Sequence, residues 1–432
     1  MRLRRGEGPP IRLLTAVPIC DRHDSAINTL NLEFIRHGIE VIYLGYHRSA
    51  RDIVRAAIQE DARAIGISSY NGGHIEFFAE VLARLKQQGA SSIGVFGGGG
   101  GTITRDDAAR MKGRGVDEIF FAGTPLPEMV EWVKRTYRSP ARSRARGASS
   151  DRQLARLLSS VESCRRPIKS QITKRKSPIQ VLALSPLHLP LGELSGRGGR
   201  LGGGRGRNTI TIGITGPGGA GKTTLIDELV LRFLKAHPDG RLAILSHDPS
   251  VLGHGALLGD RASMIHSQDD RVFMRSLATR GRAGGLSAAT ETCLRVLKQS
   301  AFDLVLVETV GIGQEALPFG RSLVDKTVLV MSPDYGSRLQ LQKIVMLDRA
   351  DLVVVNKSDL PGARTAVVEV EQRLSSNRRG LISPSPPSTP LSATSPGEGR
   401  GLEGGEGQKI FSTTAKRHRD AGVDALFREL MS

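Results

Sequence analysis

Cysteine is scarce in this chain: Cys20, Cys164 and Cys293 are the three among 432 residues, odd in number and far apart. They form neither a disulfide framework nor a zinc-ligand spacing, and a reducing, cytoplasmic setting is expected. Aromatic residues make up 4%, too few for a surface that grips single-stranded nucleic acid by stacking. No apolar run approaches the ~18 residues of a membrane-spanning helix, so no membrane partner is expected. The apolar stretch Ile11–Ile19 behind the basic Met1–Arg5 contains Pro18 and is followed by no small-residue cleavage site. It therefore reads as a first buried strand rather than a leader.

Positive charge is abundant, with a net of +18, but it is not spread evenly. Between Arg138 and Arg207 sixteen Lys/Arg stand against three Asp/Glu, so +13 of the excess lies in one segment. A solvated basic linker is expected there, and no nucleic-acid partner. Two stretches lack apolar periodicity: Ser139–Arg207, which ends in GRGGRLGGGRGR, and Ser375–Gln408, which contains SPSPPSTP. Such compositions bury too little surface to offset their ordering entropy and read as disordered inserts, apart from a helical island at Leu154–Val161. The remainder, in a chain that is 39% apolar, suits two domains. Their expected limits are 11–138 and 208–432, joined by the linker 139–207, with the insert 375–408 inside the second.

Residues 11–138 alternate strands (Arg12–Val17, Val41–Leu44, Ala64–Ser68, Ser92–Phe96, Glu118–Phe121) with amphipathic stretches, the pattern of a parallel, doubly wound α/β sheet. Ligands of such sheets sit beyond the carboxyl ends of the strands. Three unusual segments fall on that edge: Asp21-Arg22-His23-Asp24, Ser68–His74 (SSYNGGH) and the glycine run Gly97–Gly101. Together these segments resemble the flavodoxin-like cobalamin-binding domain of adenosylcobalamin-dependent acyl-CoA mutases and corrinoid methyltransferases, which carries Asp-x-His-x-x-Gly, Ser-x-Leu and Gly-Gly at these places. The resemblance implies that His23 ligates cobalt from below. Asp21 would accept its second ring N–H, and Ser68 and Ser69 would bond the displaced nucleotide base. Gly97, Gly98 and Gly99 would let backbone pass close to the nucleotide tail. Ala26 and Tyr70 depart from the general motif in the direction of the fused isobutyryl-CoA mutases.

A second α/β series begins at Thr209, with strands expected at Thr209–Thr215, Arg241–Ser246, Leu304–Glu308, Thr327–Met331, Leu352–Asn356 and Ile410–Thr413. Gly216-Pro217-Gly218-Gly219-Ala220-Gly221-Lys222-Thr223 follows the first strand and opens the helix that starts with Thr224, the context of a P-loop. Its backbone N–H groups face phosphate, Lys222 supplies charge, and Thr223 is a Mg²⁺ ligand. Glu308, ending a buried strand, and Asp248 are the carboxylates expected on the Mg²⁺ side. Gln314 is placed either to orient the attacking water or as a switch contact. Asn356-Lys357-Ser358-Asp359 makes the nucleotide GTP: Asp359 would accept from guanine N1–H and N2–H₂, donors adenine lacks, and Ala415-Lys416 would line the other side of the base.

This half resembles the G-protein chaperones of methylmalonyl-CoA mutase in HDPS (247–250), GALLGDR (255–261), RGRAGGL (280–286), ETVGIGQE (308–315) and NKSD (356–359). The combination resembles the N-terminal portion of fused isobutyryl-CoA mutase, a member of the methylmalonyl-CoA mutase family. It implies a module that binds adenosylcobalamin and hydrolyses GTP to gate cofactor loading. The module would pair as a homodimer and serve a mutase substrate subunit or domain, a barrel that has no room within these residues. The alternative is a non-catalytic corrinoid-binding or partner scaffold whose GTPase half is degenerate.

Overall fold

The computed structural model describes residues 10–19, 21, 23–138, 150–163, 209–251, 254–311, 319, 323–335, 347, 349–379, 402–404 and 408–432. In the first half β1 (Arg12–Ala16), α1 (Ser25–Arg36), β2 (Glu40–Tyr43), α2 (Ala50–Gln59), β3 (Ala64–Ser68), α3 (His74–Gln87), β4 (Gly94–Gly98), α4 (Arg105–Gly113), β5 (Glu118–Phe120) and α5 (Leu126–Tyr137) follow one another. The strands run parallel in the order β5-β4-β3-β1-β2. Burial on both faces explains their continuous apolar runs. Leu14 and Ala16 join the core under α2 and α3, while Leu13 and Val17 join the core under α1 and α5. Helix α2 starts where Ser49 and Asp52 cap each other reciprocally, and α4 starts in the same way at Thr104 and Asp107. Such caps contribute about 1 kcal/mol each. Strand β1 lies where the strand order reverses, so the crevice opens at its carboxyl end, beside Asp21 and His23.

The segment read as linker contains a fourteen-residue helix, α6 (Ser150–Ser163), longer than the expected island. Leu154, Ala155 and Leu158 lie in the core of the second half. That half comprises β6 (Ile210–Thr215), α7 (Lys222–Ala236), β7 (Leu242–Asp248), β8 (Ala256–Leu258), α8 (Asp260–Ser263), β9 (Val272–Ala278), α9 (Thr290–Gln299), β10 (Leu304–Glu308), β11 (Lys326–Met331), β12 (Leu352–Val355), α10 (Ala363–Arg379), β13 (Leu402–Gly404), β14 (Gln408–Ser412) and α11 (Ala421–Met431). Its sheet runs β13-β14-β12-β11-β6-β10-β7-β9, parallel except for β13. Strand β14 pairs with β12, Leu352 opposite Lys409, so the low-complexity insert leaves the last parallel strand in place. The end of α10 and all of β13 lie inside the stretch that the sequence reading leaves without structure.

The halves meet through an unexpected exchange. Strand β8 leaves the second half and pairs in parallel with β2, Glu40 opposite Ala256, becoming the sixth strand of the first sheet. Around it lies a buried ionic network. Arg12 donates to Glu60 (2.8 Å), to the Ser276 carbonyl (2.9 Å) and to Glu162 of α6 (3.2 Å). Arg275, in the middle of β9, donates to Glu162 and to Ser159, and Arg280 donates to Glu40 (2.8 Å). Arg261, Arg275 and Glu60 have fully buried side chains. Desolvation offsets most of the Coulombic gain in such a network, so it adds little net stability, while removing one partner would leave a costly buried charge.

Candidate functional site

Two crevices carry the residues singled out above. In the first, Asp21 is 1% exposed and the His23 side chain 65%. A carboxylate only accepts, so His23 Nδ1 carries the proton toward Asp21 Oδ1 at 2.9 Å, and Nε2 is left with its lone pair on the exposed ring. Burial opposes the charge of Asp21, but the N–H groups of Tyr70 and His23 and the imidazole hold its carboxyl below the ordinary value. The Tyr70 N–H lies 2.6 Å from Asp21 Oδ2, and its ring is 5.3 Å from that of His23. Ser68 and Ser69 are buried at the end of β3.

The glycine run has a reason inside the protein. A Cβ at Gly97 would strike the Ile67 carbonyl, at Gly98 the Phe120 carbonyl, at Gly99 the Ser69 carbonyl and at Gly100 the Tyr70 ring. On the α1–α5 side of the sheet, Thr15 Oγ1 and both ends of the Asn31 amide are buried without a protein partner. The exposed His23 ring, oriented by the buried Asp21, fits a ligand whose metal takes a ring nitrogen at this edge of the sheet.

In the second crevice the P-loop follows β6. Gly216 has φ +144° with the Val330 carbonyl where a Cβ would stand, and Gly221, at φ +89°, caps α7. Lys222 is buried and donates to the carbonyls of Gly216 and Pro217, each at 3.2 Å. Thr223 and the exposed Thr224 open α7, and Gly311 rests on the backbone of Gly218; Gly219 also lies in the left-handed region. Asn356 fastens the base side: its amide donates to Ala220 O (2.9 Å), and its oxygen accepts from Thr413 Oγ1 and Ala415 N, both 3.0 Å. Lys357 follows in the left-handed region at φ +58°. The Lys416 ammonium lies 2.5 Å from Asp359 and holds its carboxyl below the ordinary value.

Thr223 Oγ1 donates to Glu308 Oε1 at 2.7 Å, and Ser246 Oγ lies 3.5 Å from Glu308 Oε2. Burial, reinforced by Asp260, pushes the Glu308 carboxyl up to about 8. Burial and Asp260 likewise raise Asp248, whose Oδ2 has no partner. Burial also raises Asp260, and it lowers Lys222. Glu308 meets the P-loop hydroxyl of Thr223 and Asp260 meets Ser246, and a divalent cation beside them would favour the charged forms that burial opposes. Among the described residues no three His, Cys, Asp or Glu side chains are grouped closely enough to hold an ion by themselves. Asp260, which accepts from Ser246 Oγ, is the member the sequence reading missed. The only signal was its place in the GALLGDR stretch. Gln314 lies outside the described residues.

Comparison with known families fits this geometry. The profile described as "Methylmalonyl Co-A mutase-associated GTPase MeaB" matches residues 201–420. The chain belongs to the MeaB family. Ahead of its MeaB half, residues 11–130 match the B12-binding domain. A fused isobutyryl-CoA mutase of Cupriavidus metallidurans is 34% identical over 99% of this chain and 36% of its own length. That of Geobacillus kaustophilus is 37% identical over 84% of this chain and 33% of its own length. A mouse protein described as "Methylmalonic aciduria type A homolog, mitochondrial" is 37% identical over 35% of this chain and 36% of its own length. The chain thus spans about a third of the length of the fused mutases it matches. Among the described residues, no helix is long and apolar enough to cross a membrane.

Proposed function

We propose that this chain is the cofactor-carrying, GTP-hydrolysing module of an acyl-CoA mutase of the isobutyryl-CoA mutase type. Residues 11–138 would hold adenosylcobalamin and residues 208–432 would hydrolyse GTP with Mg²⁺, joined by 139–207. The observation that carries the reading is the presence, on one chain, of an acid-oriented exposed imidazole and a P-loop whose Thr223 meets Glu308. Asp21 fixes the His23 tautomer and raises its basicity toward cobalt. Ser68 and Ser69 would bond the displaced base, and Gly97, Gly98 and Gly99 would let the tail pass close to the backbone. Bound cobalamin supplies the cobalt–carbon bond whose cleavage starts the rearrangement.

On the nucleotide side, the N–H groups of Gly216–Thr224 and the Lys222 ammonium would neutralise phosphate. Thr223, Asp248, Asp260 and Glu308 would hold Mg²⁺, and Gln314 would orient water. Asp359 reads the guanine edge, with Lys357, Ala415 and Lys416 flanking the base. The GTPase would gate cofactor loading for a mutase substrate subunit or domain, in the cytoplasm and as a homodimer.

Purified protein with adenosylcobalamin is expected to lose the base-on visible spectrum and to release phosphate from GTP, but not ATP, when Mg²⁺ is present. A retained base-on spectrum refutes the corrinoid half, and magnesium-independent or ATP-driven release refutes the other. Asp359→Ala should reduce a GTP-over-ATP binding preference of ~10⁴ toward unity, because the variant no longer accepts the two guanine donors. Competition between fluorescent GTP and ATP measures this, and an unchanged preference would move the base-reading group elsewhere.

A further inference from the structure

We propose that Glu60 and Gln59, at the end of α2 in the corrinoid half, are positioning residues of the GTPase site. They fix Arg261 and thereby set the neighbouring Asp260 against the Mg²⁺-side groups. The inference rests on the nucleotide reading above and adds residues from the other half to it.

The segment 255–262 belongs to the nucleotide half by sequence, yet the corrinoid half holds it at four places. The Gly255 N–H donates to the Ile35 carbonyl at 2.8 Å, and a Cβ at Gly255 would strike the Ile39 carbonyl. Residues 256–258 pair in register with Glu40–Ile42. Arg48 donates to the Ala262 carbonyl at 2.6 Å. The Arg261 guanidinium donates to Glu60 Oε1 and to Gln59 Oε1, both at 3.2 Å. Arg261 is fully buried, so an unpaired guanidinium there would be costly, and Glu60 and Gln59 supply its side-chain acceptors.

The nucleotide half meets the same segment through packing of Ala256 and Leu258 with Ala278 and through two polar contacts: Ser246 Oγ donates to Asp260, and the Gly259 N–H lies 3.5 Å from Asp248 Oδ1. Arg261 also donates to the Met274 carbonyl. Glu60 links both surfaces, since it additionally accepts from Ser276 N (3.1 Å), from Ser276 Oγ (3.0 Å) and from Arg12. Asp260 therefore stands between a strand registered by the corrinoid sheet and the end of β7. Its distance from the cation-side cluster is set across the junction.

The test uses the full chain with Glu60→Ala and Glu60→Gln, the latter keeping a neutral acceptor for Arg261. With Glu60→Ala, half-saturation of GTP turnover by Mg²⁺ is expected to weaken ~10–100-fold, as when an outer-shell partner of a metal ligand is lost, with little change in turnover at saturating Mg²⁺. Amide hydrogen exchange should accelerate in the peptide covering 255–262, and the His23-dependent spectral change should persist. Glu60→Gln should recover most of the Mg²⁺ response. A purely structural role would lower thermal stability without moving the Mg²⁺ midpoint. Wild-type Mg²⁺ dependence and exchange in a folded Glu60→Ala chain would overturn the proposal. If that chain does not fold, Arg48→Met releases the hold on Ala262 O, together with one bond to the Leu44 carbonyl, and is read in the same two ways. A wild type that hydrolyses no GTP would instead refute the nucleotide reading, and the exchange measurement would still decide whether Glu60 places Asp260.

Discussion

Lys222→Ala is expected to lower GTP turnover by about 10²–10³-fold, the loss typical of removing one preorganised charge from a transition state. The Lys222 ammonium rests on the carbonyls of Gly216 and Pro217 at the mouth of the P-loop, beside Glu308 and Asp260. Burial disfavours its charge and the two carboxylates favour it, so it is placed to move from the loop carbonyls to an incoming phosphate. The fold should tolerate its loss, because Thr223 still bonds Glu308 and Asn356 still fastens Ala220. Phosphate release under single-turnover conditions, with circular dichroism as the folding control, measures the effect. A variant within a few-fold of the parent protein would show that the P-loop lysine is not used.

His23→Ala is expected to abolish the change from the base-on spectrum entirely. The His23 ring is mostly exposed and touches little besides Asp21 and Tyr70, so its removal should leave the domain intact. Asp21 is the wrong residue for the same experiment. It also accepts from the Tyr70 backbone, so its substitution would disturb the loop that carries Ser68 and Ser69. Restoration of the spectral change by added imidazole would identify the missing group as a ligand. Persistence of the change in His23→Ala would place the cobalt ligand on another residue.

Much of this arrangement was legible in the sequence, for identifiable reasons. The α/β alternation of the first half appears within a few residues because each strand is buried on two faces and each helix on one. The P-loop, Glu308 and the Asn356–Asp359 run are local patterns at strand ends, and the structure brings them to one crevice. Strand β9 escaped notice because Arg275 sits in the middle of Val272–Ala278, as though the segment faced water. Its charge is met by Glu162, more than a hundred residues earlier in a helix hidden within a basic stretch. Strand β8 spans only Ala256–Leu258 and takes its partner from the other half, so no local periodicity could announce it. Asp260 was missed for the same reason. The glycine run, whose pattern suits clearance for a ligand, is also required by its neighbours Ile67, Ser69, Tyr70 and Phe120, which no local pattern shows.

The borrowed strand bears on how such a protein can be cut apart. With β8 in place, the outer side of β2 is hydrogen-bonded. In a fragment that stops after Tyr137, the same row of amides and carbonyls would face solvent, a template for sticking to another copy. Anyone expressing the vitamin-binding half alone should expect aggregation, and grafting residues 255–262 onto it is the obvious remedy. Shuffling these two halves between proteins would meet the same obstacle, because the boundary in sequence is not the boundary in space.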